Sequence, residues 1–198
     1  MTTLVPTRAA VLELKDEQRA MHEGYVFLDE KCLLLAGEIL RELVRHAALE
    51  RALVSAHQAA MSALQAALAR HGLQGLQVQP AVPQEASTLR CEVHSLMGVR
   101  LQEASWAPAG LPAPPAVNAT PEARDCRLAF VALLAAAAPL AAVTGNLERL
   151  SLEYRRSVRR ARALQDVLLP ELGRELYGVE TRLEELEQED ALAMRRRA

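Results

Sequence analysis

The chain has 198 residues, of which 51% are apolar and only 3% aromatic, with a formal net charge of −2. So few rings exclude a thick globular core and favour thin aliphatic seams, since alanine, leucine, arginine and glutamate are the strong helix formers. The near-neutral charge supplies no field to draw nucleic acid or an anionic membrane, and three widely spaced cysteines (Cys32, Cys91, Cys126) fit a reducing compartment rather than a disulfide framework. The stretch Met1–Arg8 lacks the charged lead and apolar core of a secretory signal, which predicts a cytoplasmic location. Composition alone still leaves a compact bundle of shorter helices open.

Residues 7 to about 70 carry one uninterrupted helical pattern. Pro6 or Thr7 suits its start, where a missing or capped N–H is harmless. Val11, Leu14, Gln18, Met21, Tyr25, Leu28, Cys32, Leu35 and Ile39 step by three and four, the spacing of a coiled-coil stripe. Beyond Ile39 the stripe widens through Leu43, Leu53, Leu64 and Leu68, and His71-Gly72 with Gly75 supplies the stop.

From Leu89 to Leu101 the pattern changes to a period of two. Leu89, Cys91, Val93, Met97, Val99 and Leu101 alternate with Arg90, Glu92, His94, Gly98 and Arg100, which predicts strand, paired as a hairpin with Leu76–Val82. Five prolines from Pro108 to Pro121 inclusive make the following stretch an extended connector.

A second long helix is expected from Thr120-Pro121-Glu122, a cap followed by a proline in the first turn. Its seam runs Val143, Leu147, Leu150, Tyr154, Ser157, Ala161, Leu164, Leu168. Two consecutive steps of four follow, to Leu172 and Leu176, before regular steps resume at Val179, Leu183, Leu186, Asp190 and Ala193. An inserted four is a stutter that locally unwinds a supercoil. Pro170 lies inside it and favours a bend, and a second kink or break is expected at Pro139.

The fold class read from these patterns is mainly α: a long antiparallel two-helix coiled coil, a helical hairpin, with a small β-hairpin and loop region in the middle. Its three parts are residues 1–71, 72–120 and 121–198. If the turn lies between residues near 70 and 121, facing positions add to roughly 191 by hairpin geometry. The alanine-rich stretch 56–69 then lies opposite 128–142, also alanine-rich, so the backbones can approach closely. At ~1.5 Å per residue, a helix of about 64 residues is about 96 Å long.

The same alanine-rich stretch needs a membrane test, because residues 128–147 carry no formal charge. Alanine is nearly neutral toward hydrocarbon, and Pro139, Thr144, Gly145 and Asn146 oppose insertion, so a buried helix face is the preferred reading.

Enzyme chemistry finds little support. The only lysines, Lys15 and Lys31, follow no glycine-rich phosphate loop. His22-Glu23 begins like a zinc-protease helix, but Val26 stands where the second histidine belongs. Cys91 and His94 form half a zinc site that alternating strand polarity explains better. His46, His57 and His71 read as surface or seam-edge residues, and Asn118-Ala119-Thr120 reads as a helix cap rather than a glycosylation acceptor. No catalytic residue, cofactor or metal ligand is assigned.

The most informative charged feature is the set Arg155, Arg156, Arg159, Arg160 and Arg162, on adjoining helix faces beside the seam. An acidic block of Glu184, Glu185, Glu187, Glu189 and Asp190 follows, then Arg195, Arg196 and Arg197. Three readings stand: solvated flanks of a coiled coil, a charged collar that meets a partner, or a nucleic-acid patch. The last is weakened by neighbouring acids and the lack of interleaved aromatics.

These termini resemble a known family. At the N-terminus the residues are Pro6-Thr7-Arg8, Leu12, Leu14-Lys15, Gly24-Tyr25, Leu28, Lys31 and Leu34. At the C-terminus they are Tyr154-Arg155-Arg156, Arg159-Arg160, Ala163-Leu164, Val167, Leu169-Pro170, Leu172 and Arg182-Leu183-Glu184-Glu185 with Glu187 and Glu189; Met97-Gly98-Val99 adds a middle element. In this order they are similar to the D subunit, the central rotor shaft of vacuolar- and archaeal-type rotary ATPases and ATP synthases. Arg162 and Gln165 depart from the asparagine and glutamate common there, and Arg100-Leu101 replaces a usual proline.

The resemblance implies a non-catalytic shaft whose terminal ends sit inside a ring of nucleotide-binding subunits. It further implies a small companion subunit on the shaft's side, a membrane-rotor adaptor near the middle segment, and a place peripheral to the membrane, with no span, nucleic acid or cofactor. Pro6, Thr7, Arg8, Arg155, Arg156, Arg159, Arg160, Arg195, Arg196 and Arg197 are then the expected partner contacts. The competing reading is a coiled-coil tether or scaffold with no rotary role.

Overall fold

The computed structural model describes residues 5–79, 88–108 and 119–197. In chain order the elements are α1 (Arg8–Gln77), β1 (Thr88–Leu96), β2 (Val99–Ala107), α2 (Pro121–Ala163), a π-turn (Leu164–Leu168) and α3 (Leu169–Arg197). The chain is therefore mainly α, with long helical segments before and after a two-stranded antiparallel hairpin, as the sequence patterns predict. It divides into two compact units, residues 1–35 with 154–198, and residues 36–153.

Each long helical segment starts where a side chain can satisfy its first free amides. Thr7 Oγ1 accepts from the Ala10 N–H at 3.2 Å, and the Thr7 carbonyl accepts from the Val11 N–H. Thr120 does the same for α2, accepting from the Ala123 N–H, with Pro121 in the first turn, where no amide donor is needed. Within α1, Gly72 leaves helical geometry at φ 66°, ψ 171°, after which the chain resumes helix to Gln77. A side chain would be strained at that φ, so glycine is the residue that permits the kink.

In the first unit the two chain ends pack antiparallel. Val11 and Leu14 from α1 join Leu172, Leu176 and Val179 from α3 in one apolar cluster, with Met21 and Leu183 at its margin. Lys15 pairs with Glu180 at 2.7 Å, and Gln18 approaches Gly173, a pair on the expected register. Ser157 and Ala161 continue the seam as buried positions. The stutter is where the helix changes form. Leu169 donates its N–H to the Leu164 carbonyl, five residues back, and none of Leu164–Leu168 is buried. Pro170 follows at once and cannot donate to Asp166, which is exposed, so water can reach the orphaned carbonyl. Pro139, where a kink or break is expected, sits inside a continuous α2, and the Ala135 residue that loses its donor is likewise exposed.

In the second unit, Glu42 to Asn146 and His71 to Thr120 are bonded contacts between α1 and the α2 region, the latter at 2.6 Å and on the expected register. They bracket the alanine-rich stretches 56–69 and 128–142 and set them side by side. Ala60 and Ala67 are completely buried. The α1 seam does not widen as expected. Leu43 is exposed, and buried Glu42 takes its place, so the three-four stepping continues through Glu42, His46 and Leu49. Polar residues on the seam hid this regularity.

The preferred reading of the charge-free stretch as a buried helix face needs correction. The helical segment containing it is long and apolar enough to cross a membrane, and its apolar window is only 11% buried within the chain. Leu128 and Leu134 are exposed. Small side chains bring the helices together but leave Leu128 and Leu134 uncovered, while Leu133, Leu140 and Leu147 are half-buried.

The hairpin partner also differs from the expected one. Leu89 to Leu101 is not one strand: Met97-Gly98 turns it back, and β1 pairs with β2 from Leu96↔Val99 to Thr88↔Ala107. Leu76 and Gln77 belong to α1, while residues 80–82 lie outside the described ones, as do 109–118 of the proline-rich connector and Asn118. Met97 and Gly98 have φ of 48° and 85°, the left-handed two-residue turn whose twist suits a hairpin. Methionine is strained there. Met97→Asn is expected to stabilise the protein by up to about 1 kcal/mol; a lower melting temperature for this variant would count against the strain argument.

Candidate functional site

The predicted contact residues all lie in the first unit, and most of them are exposed. Arg155, Arg156, Arg159, Arg160 and Arg162 project around the buried pair Ser157 and Ala161. Those two fix the helix phase, so the arginines stand beside the seam and cannot reach into it. None of the five has an ion-pair or hydrogen-bond partner among the described residues, in contrast to Arg8, Lys15 and Arg19. They form an exposed cationic face beside the seam.

The terminal tip is arranged differently. Pro6 is half-buried and Thr7 is occupied as the α1 cap. Arg8 donates to Glu187 through both Nε and Nη2, at 3.1 and 2.8 Å, and the carboxylate holds the guanidinium above its ordinary pKa by hydrogen bonding and charge. This pair is well hydrated, so it is a surface latch rather than a source of stability. Arg8 is thus engaged within the chain. Arg195 and Arg196 are exposed, and the Arg197 side chain lies outside the described residues. Of the acidic block, Glu187 is tied to Arg8; Glu184, Glu185, Glu189 and Asp190 are exposed.

A shallow groove in the same unit runs between α1 and α3, lined by Lys15, Gln18, Arg19, His22, Leu169 and Leu176. Its cations already have carboxylate neighbours, Glu180 for Lys15 and Asp16 for Arg19. No group of three metal-ligating side chains occurs among the described residues. Cys91 and His94, three apart on β1, point to opposite faces of the hairpin and cannot share a metal ion.

The second unit holds a polar node that joins all three of its parts. Asn146 on α2 is 1% exposed. Its Oδ1 accepts from the Gln102 backbone N–H at 2.8 Å, and its Nδ2 donates to the Gln102 carbonyl at 2.9 Å. Nδ2 also donates to Glu42 Oε2 at 3.3 Å, and Oδ1 accepts a second bond from Arg149 Nη2 at 2.7 Å. Two donors and two acceptors exhaust the hydrogen-bonding capacity of a carboxamide. Around it, Arg45 bridges Glu103 at 3.0 Å and Glu42 at 3.5 Å. The bond to Glu103 is the main reason the Arg45 guanidinium sits above its ordinary pKa, with partial burial opposing it.

Residues 10–196 match the family described as the ATP synthase D subunit. The chain belongs to that family. It is also similar to the V-type ATP synthase D subunit of Thermotoga neapolitana, 25% identical over 195 residues that cover 98% of this chain and 96% of the relative.

In this member of the D-subunit family the arginine face was readable from the sequence, because steps of three and four place side chains on one side whatever the tertiary context. The polar node was not. Glu42, Gln102, Glu103 and Asn146 belong to no motif. One signal was present: continuing the α1 seam at strict three-four steps past Ile39 lands on Glu42, and a forward step of three from Val143, in place of the four taken to Leu147, lands on Asn146.

Proposed function

We propose that the chain is the non-catalytic central-shaft component of a V/A-type rotary ATPase or ATP synthase. In that role it couples ATP hydrolysis or synthesis in a nucleotide-binding head to ion translocation across a membrane. Membership in the D-subunit family over nearly the whole chain carries this reading. The paired terminal helices with their uncompensated arginine face support it. A shaft turned by a ring must offer a different surface to each ring member in turn, and Arg155, Arg156, Arg159 and Arg160 supply a one-sided cationic patch for acidic ring surfaces.

The uncovered apolar window of α2 is the proposed seat for a protein partner, the membrane-rotor adaptor. Docking against protein is favoured over insertion because Asn146, at its edge, is committed to Gln102 within the chain. A small companion subunit would bind the side of the helical pair, and the complex would sit on the cytoplasmic face, peripheral to the membrane. Purification of the tagged full chain from its host is expected to bring down nucleotide-binding head subunits in a complex that hydrolyses ATP. Recovery of the chain with other partners and without those subunits would return it to the class of coiled-coil tethers.

A further inference from the structure

The hairpin is buried most deeply on one side. Val99 and Leu101 of β2 are buried, whereas Leu89, Cys91 and Val93 of β1 are exposed. Gln102 turns its N–H and C=O away from β1, since in an antiparallel ladder such groups alternate between the partner strand and the outer edge. At that outer edge a further strand would pair. Asn146 occupies the place instead, offering one acceptor and one donor at 2.8 and 2.9 Å, as a strand residue would.

We infer that Asn146 is a latch that fixes the hairpin on the helical pair, and that releasing it frees a folded hairpin rather than unfolding it. The interstrand bonds of β1 and β2 do not involve Asn146, so the hairpin's own ladder does not depend on the latch. Its polar attachment does, beside the apolar contact made by buried Val99 and Leu101. Among the described residues, the remaining polar ties are Arg45 to Glu103 and Arg149 to Gln102 Oε1, both between exposed or half-exposed groups, the second at 3.4 Å. No other residue type can replace the carboxamide. Aspartate has the shape but no donor for the Gln102 carbonyl, and it would face Glu42; leucine has the bulk but leaves both Gln102 backbone groups without partners. Resting on the shaft reading above, the latch would also make the hairpin turn rigidly with the helices, so that torque reaches whatever the hairpin touches.

The test uses the full chain and amide hydrogen exchange. In Asn146→Leu and Asn146→Asp, the Gln102 amide is expected to exchange at least about tenfold faster, the factor implied by a lost hydrogen bond. The Leu101 and Glu103 amides, which bond across to β1, should keep their protection. Trp106, the only tryptophan, lies on β2 and should show a faster anisotropy decay. Gln102→Pro removes the donated N–H from the other side and should give the same Trp106 signature, which keeps the test open if substitution on the helix unfolds the chain. Unchanged Gln102 exchange overturns the latch, and so does loss of protection at Leu101 and Glu103 together with Gln102. In the assembled ATPase, the Asn146 variants should move fewer ions per ATP. An unchanged ratio with a freed hairpin overturns the torque-carrying part alone, and absence of the chain from any ATPase would overturn the shaft reading while leaving the exchange result standing.

Discussion

Leu14→Asp is expected to unfold the first unit, while Leu12→Asp, two residues away, should leave its melting curve almost unchanged. Leu14 is 6% exposed and packs among Val11, Leu172, Leu176 and Val179, whereas Leu12 is 64% exposed. Truncating a buried leucine costs about 2–5 kcal/mol. An aspartate at this place would add the cost of burying a carboxylate with no partner, since the cluster around it is wholly apolar. The sum reaches much of the roughly 5–15 kcal/mol that holds a domain folded. Surface changes such as Leu12→Asp stay within about 0.5 kcal/mol. Circular dichroism during heating separates the two; equal melting of both variants would mean that Leu14 does not occupy the seam.

Reversing Arg159 and Arg160 together to glutamate is expected to abolish coupled ATP turnover in the assembled complex without unfolding the chain. Both side chains project from a helix whose phase is set by buried Ser157 and Ala161, and neither has a partner among the described residues to lose. Melting should therefore be unaffected. At the proposed interface with acidic ring surfaces the effect is opposite in scale, because like charges brought together cost several kcal/mol, which would lower turnover by more than about a hundredfold. Lysine at both positions should retain part of the activity, keeping charge while losing the planar fork. Turnover and ion pumping at the original rate in the glutamate double variant would remove this face from the bearing contacts.

What the sequence disclosed depends on the kind of force that places each residue. Apolar seams are periodic by geometry, and Val11, Leu14, Val143, Leu150, Leu172, Leu176 and Val179 all lie buried on the stripes their spacing defines. The stutter was legible for the same reason, and the helix widens into a π-turn at that place. The hairpin was half legible. Alternation marked a strand but carried no sign that Met97 would accept a positive φ, so one strand was read where there are two. The seam beyond Ile39 failed at Glu42 because a hydrophobic pattern cannot register a buried carboxylate, one of whose partners, Asn146, lies 104 residues along the chain. Exposure of the alanine window was equally hidden, since periodicity shows which face turns inward but not how much of the helix a narrow contact covers.

The alanine-lined contact between 56–69 and 128–142 has a consequence of its own. Small side chains leave a groove of nearly uniform depth, along which two helices could slide by a heptad and find almost the same fit. Glu42 and Asn146 forbid it. A displaced Asn146 would meet no strand edge, and a displaced Glu42 would bury its carboxylate against aliphatic carbon, so this one contact indexes the pair as a dowel indexes two plates.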